Sequence, residues 1–308
     1  MFKTKKLEND NFLSSLDFSK NEIKYILELS KKFKKNELEI KLRDKVLGLI
    51  FDKSSTRTRV SFQVAMSRLG GTTIDLNPNT SQIGRGEPIK DTARVLSSYC
   101  DVLAIRTFSQ NDLEEYAKWS KIPVINALTD LEHPCQALAD FLTIEEEFSD
   151  LSKVTLTFIG DGNNVANSLI LCGAILGAEI RISCPKGYEP KDSIIFKARE
   201  LVEDVSKLKI INDPEIAVNG ANVIYTDVWS SMGEESNKES KELDFNGFCI
   251  DQNLLRKADE NAIVLHCLPA YRGKEITDDV IEGPKSRIFQ QAENRMHIQQ
   301  ALLACMLA

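Results

Sequence analysis

The chain has 308 residues, of which 42% are hydrophobic and 28% charged, a globular composition at a length that points to two domains rather than one core. Its formal net charge of -7 excludes a general attraction to nucleic acid or to an anionic membrane, so any phosphate it binds must be gripped locally. No apolar run approaches membrane length, and the basic start Met1-Phe-Lys-Thr-Lys-Lys leads into no apolar segment, which predicts a cytoplasmic protein.

Short aliphatic runs alternate with helical patterns almost from end to end, predicting an α/β fold of two domains, each a parallel sheet with helices on both faces. In the first half, strands are expected near 46–52, 72–76, 102–106 and 123–127, and helices near 19–35, 55–69, 88–99, 110–120 and 134–147. The first helix carries a capping-box spacing, Ser19-x-x-Glu22. The pattern restarts at Val154-Thr-Leu-Thr-Phe-Ile-Gly160, which sets the domains at 1–148 and 149–291. Strands are expected there near 154–159, 179–183, 208–211, 222–226, 262–266 and 286–289. A last helix, about 292–308, is expected to pack back onto the first domain.

The stretch Leu47-Gly-Leu-Ile-Phe-Asp-Lys-Ser-Ser-Thr-Arg-Thr-Arg59 runs from an apolar strand into hydroxyls and two arginines at a helix start. First-turn N–H groups lack intrahelical partners and carry partial positive charge, so with Ser55, Thr56, Thr58 and a guanidinium they suit one phosphate. Arg57 and Arg59 stand roughly 200° apart around a helix and cannot share that ligand. Arg57 is assigned to the anion and Arg59 to a structural ion pair.

Other unusual residues also fall at the C-terminal ends of predicted strands, the edge where open α/β sheets bind ligands, which predicts an active site in a cleft between the two domains. Arg106 ends a strand, with either an anion or a carboxylate such as Asp101 or Asp112 as its partner. His133-Pro-Cys-Gln136 opens a helix, so His133 is either a cap or a neutral imidazole donating to a polarised carbonyl, with Gln136 reading an amide. Asp227-Val-Trp-Ser-Ser-Met-Gly233 offers a carboxylate and hydroxyls to an α-amino group, or forms a capped loop. Cys267, in His266-Cys-Leu-Pro269, sits where a nucleophilic thiol is the sharp alternative.

Gly160-Asp-Gly-Asn-Asn164 looks like a dinucleotide turn, but its third glycine position holds Val165, and the next strand ends in Cys184-Pro185 rather than an acidic residue. Asn164 therefore suits a small zwitterion better than a nicotinamide cofactor. Seven scattered cysteines without a C-x-x-C pair, and three histidines without metal-ligand spacing, predict reduced thiols, no cofactor and no metal.

Taken together, Ser54-Ser-Thr-Arg-Thr-Arg59, His133-Pro-Cys-Gln136, Asp227-x-Trp-x-Ser-Met-Gly233 and His266-Cys-Leu-Pro269 resemble the aspartate/ornithine carbamoyltransferase family across essentially the whole chain, in its ornithine version. The resemblance implies transfer of the carbamoyl group of carbamoyl phosphate to the δ-amine of L-ornithine, giving L-citrulline and phosphate, in arginine metabolism. It carries the carbamoyl phosphate contacts to Ser55, Thr56, Arg57, Thr58, Arg106, His133 and Gln136, with Cys267, Leu268 and Arg295 at the reacting end. Within that set, Thr58, Arg106, His133 and Cys267 are the catalytic residues. The ornithine contacts fall on Asn164, Asp227, Ser231 and Met232. The family further implies a homotrimer in which Gln82 of one subunit reaches the next subunit's site; Arg85 is left out of the site. Three rival readings are a carbamoyltransferase for putrescine or an N-acylated ornithine, an NAD-dependent oxidoreductase, and a non-catalytic amino-acid binding protein.

Overall fold

The structure, a computed structural model, describes residues 5–77, 86–202, 204–230 and 238–307. The chain divides into two units, Met1–Ala139 with Asn294–Ala308, and Asp140–Glu293.

In the first unit, α1 (Lys20–Lys34) opens on the predicted reciprocal cap: Ser19 Oγ accepts from Glu22 N, and the Glu22 carboxylate accepts from Ser19 N at 2.9 Å. Its buried stripe, Ile23, Ile26, Leu27, Ser30 and Phe33, follows the helical period. Strands β1 (Val46–Phe51), β2 (Thr72–Leu76), β3 (Val102–Arg106) and β4 (Val124–Leu128) pair in parallel in the order β2-β1-β3-β4. Between them run α2 (Arg57–Arg68), α3 (Ile89–Leu96) and α4 (Gln110–Trp119), and α5 (Pro134–Phe148) follows β4. One core cluster joins Ile50, Leu103, Ile105, Leu113, Tyr116 and Val124 from β1, β3, β4 and α4. Strand order reverses between β1 and β3, and such a switch point leaves a crevice at the strands' C-terminal ends.

The second unit repeats this logic with β5 (Thr155–Ile159), β6 (Glu179–Ser183), β7 (Leu208–Ile210), β8 (Val223–Thr226) and β9 (Ile263–His266), all parallel in the order β7-β6-β5-β8-β9. Its switch point lies between β5 and β8. Helices α6 (Asn164–Leu176), α7 (Asp192–Leu201), α8 (Pro214–Val218), α9 (Lys238–Asp244), α10 (Gln252–Leu255) and α11 (Asp278–Ile281) occupy the connections. The long α12 (Ile288–Leu307) closes the chain. The unit division falls inside α5 and inside α12.

The strand expected near 286–289 is not one. A single bridge joins Ser286 to Val264, with Val264 N donating to Lys285 O and Arg287 N to Val264 O, both at 2.9 Å. Gln291 N then donates to Arg287 O at 2.8 Å, so the helical ladder takes over the next residues. No described helix is long and apolar enough to cross a membrane.

The turn from β5 into α6 depends on Gly162. A Cβ there would lie 2.3 Å from Pro190 N and 2.5 Å from the carbonyl carbon of Glu189, backbone atoms that cannot swing aside. Gly162→Ala is therefore expected to destabilise the second unit by about 1–3 kcal/mol. Urea unfolding followed by Trp229 fluorescence in a Trp119→Phe background checks it, and an unchanged midpoint would contradict the close approach.

Candidate active site

The first unit's crevice is lined from both of its switch strands. After β1, α2 begins at Arg57 rather than Ser55: Thr56 caps it without a side-chain bond, and Ser55 Oγ accepts from Thr58 N at 3.3 Å. Arg57 is exposed on the first turn and Thr58 is buried. Arg59 faces away, bonded to Asp75 on β2 with its guanidinium 4.9 Å from the Phe51 ring centroid, so it is the structural pair. At the end of β3, Arg106 is buried. Asp101 is not its partner, because that carboxylate accepts from Lys45 Nζ at 2.8 Å and Val46 N at 2.9 Å at the opposite end of the strand, about 16 Å away.

Helix α5 starts at Pro134, and His133 O accepts from Gln136 N at 3.0 Å and Ala137 N at 3.2 Å, so His133 occupies the capping position by its backbone while its ring turns inward, 4% exposed. Arg295 on α12, also buried, donates through Nη2 to Thr58 Oγ1. Desolvation, then the charges of Arg295, Arg106 and Arg57, hold the His133 imidazole well below its usual pKa, so it is neutral at pH 7. Three guanidinium groups acting on one buried neutral ring form a positive pocket suited to a dianion, with a hydrogen-bonding ring beside it.

That neutrality has a stability consequence. Unfolded histidine titrates near about 6.5, so below that pH the unfolded chain takes up a proton that the folded chain refuses, and stability falls as pH falls, by at most about 1.4 kcal/mol per pH unit. His133→Gln removes this contribution. Urea unfolding between about pH 5 and pH 7.5 should show a shallower decline in the variant, and equal slopes would refute a neutral His133.

In the second unit, Asn163 caps α6, its Oδ1 accepting from Val165 N at 2.9 Å and Ala166 N at 3.1 Å, while its Nδ2 donates to Asp227 Oδ2 at 2.9 Å. Both ends of the amide are thereby used, across the β5–β8 switch point. Asp227, 7% exposed, also accepts through Oδ1 from Val228 N at 2.8 Å and from the Cys267 thiol at 2.9 Å. Asn164 is the first residue of α6 and half-buried. Leu268, half-buried, adopts φ 59° and donates its N–H to His266 Nδ1 at 2.8 Å. His266 Nε2 faces Glu275 Oε1 at 3.1 Å, so both ring nitrogens are engaged and His266 is not a base for the thiol.

Asp227, His266 and Cys267 bring an oxygen, a nitrogen and a sulfur within 4.8 Å of one another, a donor set that suits a soft divalent metal. Here the same atoms satisfy one another and the backbone, and a metal would have to displace those bonds. Gln82, Ser231 and Met232 lie outside the described residues. Sequence reasoning missed Asn163 and Glu275. The Asn-Asn pair at a helix start carries a signal for the first, since the cap precedes the first helical residue; Glu275 carries none.

Comparison with known proteins matches both units. Residues 10–146 match the family model described as "Aspartate/ornithine carbamoyltransferase, carbamoyl-P binding domain", and residues 152–306 the one described as "Aspartate/ornithine carbamoyltransferase, Asp/Orn binding domain". The ornithine carbamoyltransferase of Prochlorococcus marinus subsp. pastoris is 73% identical over 307 residues, covering 100% of both chains. Among solved structures, the ornithine carbamoyltransferase from Pyrococcus furiosus is 45% identical with a TM-score of 0.93, covering 96% of each chain. The anabolic ornithine carbamoyltransferase from Campylobacter jejuni is 42% identical with a TM-score of 0.91, covering 96% of this chain and 98% of that one.

Proposed function

The chain belongs to the aspartate/ornithine carbamoyltransferase family, and from that premise we infer its reaction: transfer of the carbamoyl group of carbamoyl phosphate to the δ-amine of L-ornithine, forming L-citrulline and phosphate. The observation that carries this reading is the burial of Arg106, His133, Arg295 and Thr58 in one unit, with Arg295 bonded to Thr58 and Arg57 on the first turn of the same helix as Thr58. A simple amino-acid binder has no use for that pocket, and Val165 at the third glycine position argues against a nicotinamide cofactor.

In this reading the first unit holds the phosphate dianion on Arg57, Arg106, Ser55, Thr56 and the open first turn of α2. Arg295 occupies the Thr58 oxygen as a donor, which leaves the Thr58 hydroxyl hydrogen to an acceptor, and the carbamoyl oxygen is that acceptor. His133 and Arg106 meet the same oxygen, and Gln136 reads the carbamoyl amide. Asp227 binds the α-ammonium of ornithine, with Asn164, Ser231 and Met232 completing that contact, and Cys267 and Leu268 line the reacting end. The neutral δ-amine attacks the carbamoyl carbon, the oxyanion forms against Thr58, Arg106 and His133, and the bond to the phosphate oxygen breaks. No side chain is covalently modified. Near pH 7 the amine is mostly an ammonium, so it gives one proton to solvent before it attacks; the second proton, lost as the new C–N bond forms, is taken up by the departing phosphate oxygen.

Asp227 also bears on the choice of amine. Acylated ornithine lacks the α-ammonium charge and would leave the carboxylate without its cation, whereas putrescine, which is ornithine without its carboxylate, keeps a second ammonium and is separated from ornithine by the assay. Amine-dependent phosphate release from carbamoyl phosphate, assayed with ornithine, putrescine, aspartate and acetylornithine in parallel, tests this: ornithine should dominate, and preference for another amine would overturn the assignment. A cytoplasmic location is part of the proposal, supported by seven cysteines without a disulfide.

The family resemblance further supports a homotrimer with Gln82 supplied by a neighbouring subunit. Arg57→Ala and Gln82→Ala variants, dissociated and remixed, should then recover to about a quarter of wild-type activity, because about one interface in four pairs an intact main wall with an intact loop. Hybrid trimers seen by native mass spectrometry without recovered activity would refute the shared site.

A further inference from the structure

Gln291, in the first turn of α12, is completely buried. Its Oε1 accepts from His266 N at 2.9 Å, and its Nε2 donates to Asp140 Oδ1 at 2.7 Å and to Tyr225 Oη at 3.0 Å. A backbone N–H on one side and a carboxylate on the other leave the amide a single orientation. Burial, then the nearby Asp140 carboxylate, keeps the Tyr225 phenol protonated, and it is hydrogen-bonded to Asp140 as well.

The positions of these partners matter more than their number. Tyr225 lies on β8 two residues before Asp227, and His266 ends β9 one residue before Cys267. The β8–β9 ladder has its last pair at Thr226 and His266, so Asp227 and Cys267 lie just beyond it. What brings the thiol to the carboxylate at 2.9 Å is therefore the seating of the two strand ends, and one amide touches both. We infer that Gln291 is a positioning residue, holding β8 and β9 so that Cys267 orients Asp227 toward the amino-acid substrate; this rests on the reading of Asp227 as the ornithine contact.

An exchange of the two polar groups tests it. Gln291→Glu keeps an acceptor for His266 N but sets a second carboxylate against Asp140 and removes the donor to both Asp140 and Tyr225. In the double variant Asp140→Asn with Gln291→Glu, amide and carboxylate trade places: the amide donates to the carboxylate, and Tyr225 and His266 N both keep acceptors, at the original net charge. The single variant is expected to lose about tenfold or more in kcat/KM for ornithine while KM for carbamoyl phosphate stays within about threefold, and the double variant should return to within about threefold of wild type. Tyr225→Phe, which deletes one hydroxyl, should raise KM for ornithine about threefold with no change for carbamoyl phosphate. No recovery in the double variant, an equal loss for both substrates, or an unchanged Tyr225→Phe enzyme would each overturn the inference. A wild-type chain that forms no citrulline would instead refute the reaction itself.

Discussion

Arg57→Ala is expected to lower kcat/KM for carbamoyl phosphate by about 10²-fold or more, equivalent to about 3 kcal/mol of transition-state stabilisation. Its guanidinium acts on the same neutral imidazole as Arg106 and Arg295, and it sits on the first turn of α2, where first-turn N–H groups suit an anion. The departing phosphate gains charge as the carbamoyl bond breaks, so a cation there is worth more in the transition state than in the bound substrate. Arg59→Lys supplies the contrast. That side chain pairs with Asp75 and covers the Phe51 ring, so its loss should appear as less than about 1 kcal/mol of stability and little change in turnover. Steady-state kinetics on both variants, with unfolding measured alongside, checks the pair; a near-wild-type Arg57→Ala enzyme would remove the phosphate assignment.

Asp227→Asn is expected to lower kcat/KM for ornithine by about 10²–10³-fold while leaving carbamoyl phosphate binding within about twofold. Three donors converge on this carboxylate: the Cys267 thiol and Val228 N on Oδ1, and the Asn163 amide on Oδ2. An asparagine supplies one acceptor oxygen and turns an NH₂ against a neighbouring donor, so it loses both the charge and the fit. The companion change Cys267→Ser keeps a donor to Asp227 and should cost less than Cys267→Ala. Kinetics with each substrate varied separately distinguishes the halves of the site. Equal losses for both substrates would contradict the assignment of Asp227 to ornithine.

The nature and order of most secondary elements were legible in the chain, because interior parallel strands such as Leu47–Phe51 and Val102–Ile105 must be apolar on both faces and stand out as uninterrupted runs. The capped start of α1 and the division of labour between Arg57 and Arg59 were equally legible, since both follow from spacing around a helix. The segment near 286–289 misled because its Ser-Arg-Ile-Phe composition is compatible with a short strand. Only the helical bond from Gln291 N to Arg287 O, competing with a single bridge to Val264, decides it. The partners that tune the site lie far apart in sequence: Arg295 bonds Thr58 across 237 positions, and Gln291 bonds Asp140 across 151. Local pattern carries no trace of such pairs. The residue types and motifs by themselves determined which chemistry the chain holds, because charge, hydroxyl and thiol are properties of single residues. The tertiary structure alone decided that His133 is neutral, that Asn163 bonds Asp227, and that Cys267 is a donor to that carboxylate, because burial, orientation and pairing exist only once distant segments are packed together.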